Sequence, residues 1–221
     1  MLAGAALGTS GVSLVANNTM GFVNIGRYEA SGITGAGANT LPLTYARVAA
    51  TFDLAGFDSA VGIQNFSGTS NVTNITAKAT IIDGQMQGEV AGYTAGFYAS
   101  YGRAPVSTAV GLNGGNLLNG NDQNIAKSTF NVAAELALIP HGTVQAAFRS
   151  ASRQDLVTPT TSSKDNAFMV GATYELAQNM GLSLHYTTQS GSYWSNQSAA
   201  VVAPLAVVGK NATTLLLETA F

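Results

Sequence analysis

Apolar and polar residues alternate with a period of two along most of the chain. From Tyr45 to Leu54, Ala46, Val48, Ala50, Phe52 and Leu54 share one face, and Tyr45, Arg47, Ala49, Thr51 and Asp53 share the other. Between Lys127 and Leu138, Phe130, Val132, Ala134, Leu136 and Leu138 oppose Lys127, Thr129, Asn131, Ala133 and Glu135. The same pattern returns at Thr143–Arg153, Asn166–Leu176 and Met180–Gln189. Period two is the signature of a β-strand with unlike faces. Segments of about 10–12 residues exceed the usual 5–6 of a soluble sheet and match a tilted strand crossing hydrocarbon. The less apolar face carries Gly, Ala, Ser, Thr, Gln and single charges. In hydrocarbon every backbone N–H and C=O needs a partner, so strands cross only as a barrel.

Short and long connections alternate. Tight links are expected at Ala55-Gly56, near Ala91-Gly92, at Pro140-His141-Gly142 and at Ala177-Gln178-Asn179, and longer polar ones at Ser31–Thr40, Pro105–Ala126, Gln154–Asp165 and Gly191–Ala212. This asymmetry is that of a transmembrane antiparallel up-and-down β-barrel. The pattern predicts an all-β chain of about ten strands, near 20–30, 43–54, 57–68, 73–90, 93–103, 127–138, 143–153, 166–176, 180–190 and 213–221. Residues 1–19 read as irregular or a remnant strand, and 20–221 as one barrel domain. Parity slips near Ile81-Ile82, which predicts a bulge there. Tyr93, Tyr101, Tyr174 and Tyr186 fall near strand ends, as an interfacial girdle requires. A soluble β-sandwich also alternates, but its strands would be shorter and its exposed face richer in Lys and Glu.

Composition narrows the reading. Charged residues make up 9% of the 221 residues, against about 25% in soluble domains, while 46% are hydrophobic. No apolar run reaches the roughly 18 residues a helical span needs; the longest, Ala199 to Val208, is interrupted by Pro204. A formal charge of -2 leaves no footprint for nucleic acid. The absence of cysteine excludes disulfides and cysteine-ligated metals. Met1 to Gly11 lacks a basic region and a convincing cleavage site, so either the numbering begins after a removed signal or, as the favoured expectation, the chain is the C-terminal part of a longer product.

The segment Thr213-Thr-Leu-Leu-Leu-Glu-Thr-Ala-Phe221 resembles the C-terminal assembly signal of Gram-negative outer-membrane barrels, with Leu215, Leu217 and the terminal aromatic Phe221 in outward register. Thr219 departs from the large apolar residue usual at its place. Tyr174-Glu-Leu-Ala-Gln-Asn-Met-Gly-Leu-Ser-Leu-His-Tyr186 resembles the penultimate hairpin of the porin superfamily. The resemblance implies a place in the bacterial outer membrane, with its lipid and the barrel-assembly machinery as partners.

Candidate chemistry is sparse. Gly35-Ala36-Gly37 lacks the third glycine and the helix of a nucleotide loop. Asn113-Gly-Gly-Asn116 and Asn119-Gly-Asn-Asp122 faintly suggest a calcium loop, but with one carboxylate they read better as solvated loop. Two histidines, His141 in a turn and His185 facing inward, argue against a metal site. His185 with Glu218 is the one pair that hydrolytic chemistry could use, and a hydrogen-bonded lumen histidine is the plainer reading. No cofactor is expected. The inward charges say more: Arg47, Lys78, Arg149, Arg153, Glu135, Glu175, His185 and Glu218 are the expected pore lining, with Asp53, Asp83 and Glu89 beside them. Such rows either set a transverse field across a pore or pair and plug a narrow barrel. The apolar stretch Ala199–Val208 extends a hairpin, enters the lumen or meets another subunit.

Two functions follow as expectations. One is a non-enzymatic, porin-like channel for passive diffusion of small hydrophilic solutes or ions. The other is a scaffold barrel that sheathes or anchors a partner such as an electron-transfer protein. The small inward residues suit a wide lumen, so these strands are expected to belong to a larger barrel of about 14–18 strands, or to enclose a plug; self-association is a further candidate. Deleting Phe221 should leave the protein in the periplasm or degraded. Normal heat-modifiable barrel in the outer membrane of that variant would count against the assembly role.

Overall fold

A computed structural model describes residues 8–31, 40–69, 75–106, 115–116, 118, 125–155, 162–191 and 211–219. They form one 12-stranded sheet. Its strands are β1 (Gly8–Asn18), β2 (Gly21–Ser31), β3 (Thr40–Leu54), β4 (Phe57–Thr69), β5 (Ile75–Val90), β6 (Tyr93–Ala104), β7 (Gly115–Asn116), β8 (Ile125–Ile139), β9 (Gly142–Asp155), β10 (Ser162–Ala177), β11 (Met180–Ser190) and β12 (Asn211–Thr219). Apart from β7, each strand pairs antiparallel with its neighbours in sequence, giving the order β1-β2-β3-β4-β5-β6-β8-β9-β10-β11-β12. This is up-and-down barrel topology. Among the described residues β1 and β12 form no ladder with each other. The assembly residue Phe221 and the stretch Ala199–Val208 lie outside the described residues.

The predicted strands all form. Gly8–Asn18, expected as irregular or a remnant, is a regular strand in unbroken register with β2. Its alternation is blurred because Val15 follows Leu14 and occupies the opposite face. The turns at one end are tight, and two of them have paired positive φ values, Ala55 at 55° with Gly56 at 83° and Ala91 at 53° with Gly92 at 81°. Such mirror-image turns carry the twist of the flanking strands, so they hold the register. Longer connections join strands at the other end, as outer-membrane barrels arrange them.

The faces are inverted relative to a soluble protein. Among the described residues the buried apolar side chains are Ala49, Ala77 and Ala95, whereas Phe52, Phe97, Val132, Phe148, Val170 and Leu215 are exposed, Val132 at 40% and Leu215 at 68%. Their register places them on a single face, running Val48 to Ile63 to Ile82 to Tyr101 to Phe130 across successive strands. Tyr93, Tyr101, Tyr174 and Tyr186 share it. Tyr93 to Tyr101 rises about 27 Å along β6, or about 21 Å along the normal at the usual tilt, close to the height of a barrel's apolar band. Water cannot be the solvent of this face. The opposite face is mostly polar and small, with Phe22, Phe66, Ile81 and Met169 among its larger apolar residues, and hydrogen bonds that leap a strand occur there, as they do where a sheet curls inward.

Two expectations are corrected. No bulge occurs at Ile81-Ile82: β5 keeps unbroken register with β4 from Thr76 to Gln87 and with β6 from Thr80 to Val90. A bulge would leave backbone groups unpaired in hydrocarbon, whereas turning Ile81 inward costs little. With parity kept, Asp83 faces in and Lys78 faces out, against the expectation that both share the inward row. The second correction concerns Asn116, which is 0% exposed rather than part of a solvated loop. β5 begins beyond the end of β6, and β7 pairs parallel with its exposed edge at Ile75 and Thr76. The Asn116 amide donates to the Lys78 and Pro105 carbonyls, each at 2.6 Å, and its Oδ1 accepts from the N–H groups of Lys78 and Leu118, each at 3.1 Å.

Arg introduced at Val132 or Val170 should cost about 2–4 kcal/mol, against much less at inward Thr129 or Thr173. Reversible unfolding from lipid bilayers measures this, and equal sensitivity of the two faces would refute the assignment.

Candidate functional site

The inward face carries cross-strand polar rows, and the fullest one crosses the middle of the sheet. Asp83 on β5 stands opposite Ser100 on β6, Ser100 opposite Asn131 on β8, and Asn131 opposite Arg149 on β9. These residues, with Tyr98 and Met169, line a concave cavity of about 320 Å³. Its acidic end and its basic end are three interstrand spacings apart, about 14 Å.

Each end is tied to a neighbour along the wall. Arg47 Nη2 on β3 reaches Asp83 Oδ1 at 2.8 Å, and Gln64 Nε2 donates to Asp83 Oδ2 at 2.8 Å. Tyr45 OH donates to Gln64 Oε1 at 3.3 Å, and the Arg47 guanidinium lies over the Phe22 ring, 5.2 Å from its centroid. The ion pair crosses over β4 at Gly62, where an added Cβ would stand 3.2 Å from Asp83 Oδ1. At the basic end Arg149 Nη2 binds Asp165 Oδ2 at 2.9 Å. Asn131 Nδ2 donates to Ser100 Oγ at 3.2 Å between the two ends. Both charges of the row are therefore compensated locally.

A second row lies nearer the short turns. Gln87 Nε2 donates to Tyr98 OH at 3.0 Å, and Tyr98 OH donates to Glu135 Oε1 at 2.9 Å. Further round, His185 on β11 meets Gln145 on β9 through a short hydrogen bond between their Nε2 atoms. That contact passes over β10 at Gly171, and any Cβ at Gly171 would collide with the imidazole. Thr173 and Ser183 hydroxyls pair at 3.1 Å beside it.

Strand register puts Arg47, Glu135, Arg149 and His185 on the same face as Asp83. Arg153 shares their parity and stands opposite Lys127, both being engaged in further contacts. Glu175 sits at the rim, where its Oε2 binds Nδ1 of His141 in the turn at 3.0 Å, both side chains being more than half exposed. Glu218 stands opposite Gly181, whereas His185 stands opposite Thr214, so the His185–Glu218 pair does not form. Asp53 accepts the Gly56 N–H at 3.2 Å and closes a turn. Gln64, Tyr98, Gln145 and Asp165 were not singled out from the sequence. Tyr98, Gln64 and Gln145 have inward parity in regular strands, and that signal alone could have found them.

No family model matches the sequence, and no curated protein matches it. Among solved structures, the fold is similar to OmpT (in-vitro folded), an outer membrane protein of Vibrio cholerae, with a TM-score of 0.50 and 14% identity over 82% of this chain and 53% of that one. It is equally similar to the loop L8 deletion mutant of OmpT, with a TM-score of 0.50, 14% identity, and coverage of 82% and 57%. The chain spans a little over half the length of these structures. The likeness is one of fold, an antiparallel up-and-down outer-membrane β-barrel. That fold and the chain's own apolar outer face place it in the bacterial outer membrane.

Asp83→Ala strips Arg47 and Gln64 of their acceptor and should destabilise the barrel by about 1–3 kcal/mol. Arg47→Ala in the same chain should recover part of the loss. A double-mutant cycle with no coupling beyond about 0.5 kcal/mol would mean that the pair contributes nothing in the membrane.

Proposed function

We propose that this chain forms the wall of a passive, porin-like channel for small hydrophilic solutes or ions, and that it performs no catalysis. The observation that carries this reading is the direction of the inward pairs. Arg47–Asp83, Gln64–Asp83, Tyr98–Glu135, Gln145–His185 and Arg149–Asp165 join strands at most two apart. Charges that plugged a lumen would reach across it; these pairs lie along the wall. Between them stand Gly, Ala, Ser and Thr, whose small side chains leave room for water.

The chemistry of the wall supports passage over sheathing. A barrel built around a partner protein would offer that partner apolar contact area, whereas these rows present hydroxyls, amides and charges. His185 is held by Gln145 and has no carboxylate opposite it, which supports a positioning role within the wall rather than general-base work. Since each charge of the central row has its own counter-charge, the preference between cations and anions is expected to be weak.

Planar-bilayer recording of the purified full protein tests this. Open channels should appear, with a reversal potential near zero in a KCl gradient. Arg149→Glu places a second carboxylate beside Asp165 and should move the reversal potential clearly toward cation selectivity. Absence of conductance from correctly folded protein would overturn the channel and favour a scaffold barrel.

A further inference from the structure

Aromatic rings gather in one sector of the inner wall. Among the described residues, the inward positions of β2, β3 and β4 carry Phe22, Tyr28, Tyr45 and Phe66, while those from β5 to β12 carry Tyr98 alone. Tyr28 on β2 stands opposite Leu43 on β3, two residues from Tyr45, and Tyr45 stands opposite Phe66 on β4. The Tyr45 and Phe66 rings meet at 4.8 Å between centroids, tilted by 44°. Tyr28 lies down along the wall. A Cβ at Gly26 or at Gly11 would collide with opposite edges of its ring, which leaves one face of that ring toward the lumen. Phe22, six residues from Tyr28 and about 20 Å from it along β2, ends the series under the Arg47 guanidinium. All four rings are half-buried.

Lipid does not account for these rings. Aromatic residues that anchor a barrel at its interfaces face outward, as Tyr93 and Tyr174 do. A wall that admitted only water and inorganic ions would gain nothing from apolar area. Hydrogen-bonding groups run beside the rings: Tyr45 OH donates to Gln64 Oε1, and Gln64 Nε2 and Arg47 Nη2 both donate to Asp83. Asp83 matches the charge of Arg47 at 2.8 Å, so this edge offers donors and acceptors together while the pair carries no net charge.

A solute suited to both features has an apolar face, a rim that donates and accepts hydrogen bonds, and no charge. A pyranose ring meets all three conditions, with C–H bonds on its faces and hydroxyls at its edge. We propose that the β2–β4 sector is a binding track for neutral linear oligosaccharides. An aromatic carboxylate would stack on the same rings, but it calls for a cation without a counter-charge, and Arg47 has Asp83. At about 20 Å the series is longer than a single sugar ring. Successive sugars of one chain therefore lie on Tyr28, on Tyr45 with Phe66, and toward Phe22. The track rests on the channel reading and names the class of solute that the channel takes.

Two measurements on the full protein test this. In planar bilayers a soluble α-1,4-linked glucose hexasaccharide should interrupt the wild-type current, and benzoate at the same concentration should not. Calorimetric titration of the hexasaccharide into the protein folded in detergent should show binding without any need for conduction. Tyr45→Leu/Phe66→Leu keeps apolar bulk and removes the ring faces; it should weaken binding and block at least tenfold while still conducting. Phe130→Leu, on the outer face, should bind as the wild type does. Heat-modifiable migration verifies that both variants are folded. A conducting wild type that neither binds nor is blocked by the hexasaccharide would overturn the track, as would a folded double variant with undiminished binding, or benzoate blocking as well as the sugar. Hexasaccharide binding that depends on Tyr45 and Phe66 in a protein that does not conduct would leave the track standing and strike the channel reading instead.

Discussion

Backbone hydrogen bonding in a solvent that offers none governs this molecule. Each unpaired N–H or C=O in hydrocarbon costs several kcal/mol, far more than a misplaced side chain. The ladder is therefore continuous through the membrane, and side chains are arranged around it. β5 shows the ranking of these costs. Its residues change parity at Ile81-Ile82, and two outcomes compete: a bulge that keeps every aliphatic outward, or an unbroken ladder that turns Ile81 toward the lumen. The ladder prevails. The same demand accounts for Asn116, whose amide supplies both a donor and acceptors where β5 runs past the end of β6. It also bears on β1 and β12, whose outer edges must meet each other or further strands wherever they lie in lipid.

Once the ladder is continuous, glycine becomes a device of the inner wall. Side chains two strands apart are separated by about 9–10 Å of sheet, which ordinary residues between them would fill. Gly62 lets Arg47 reach Asp83, and Gly171 lets His185 reach Gln145. Their value here is the missing Cβ, not backbone freedom. Small residues thus serve two ends on the lumen side, since they leave room for water and permit bonds that knit alternate strands together.

Much of this was legible in the sequence, for a physical reason. Period two is the only pattern that satisfies one lipid face and one polar face on a strand, so β2 to β6, β8 to β12 and the tight turns could be read directly, whereas the two-residue β7 carries no such pattern. What escaped was set by register between strands. Parity says that His185 and Glu218 share a face, but only pairing with β12 shows that His185 meets Thr214 and Glu218 meets Gly181. Lys78 and Asp83 have opposite parity, so placing both inward required the bulge that hydrocarbon disfavours. β1 was missed because Val15 occupies an inward position, where a lumen wall tolerates an isolated aliphatic that a lipid wall would not tolerate as a charge.

The two faces also treat charge by different rules, and position can therefore be weighed against partner. On the inner wall a charge is kept near a counter-charge, as Arg47 is near Asp83 and Arg149 near Asp165. These groups remain partly exposed to the lumen, so screening by water and ions lowers what each pair contributes. On the outer wall Lys78, Arg103 and Lys164 sit only where the apolar band ends. A charge at mid-band would cost about 2–4 kcal/mol, and near an interface about 0–1 kcal/mol, so depth rather than pairing decides whether an outward cation is tolerated.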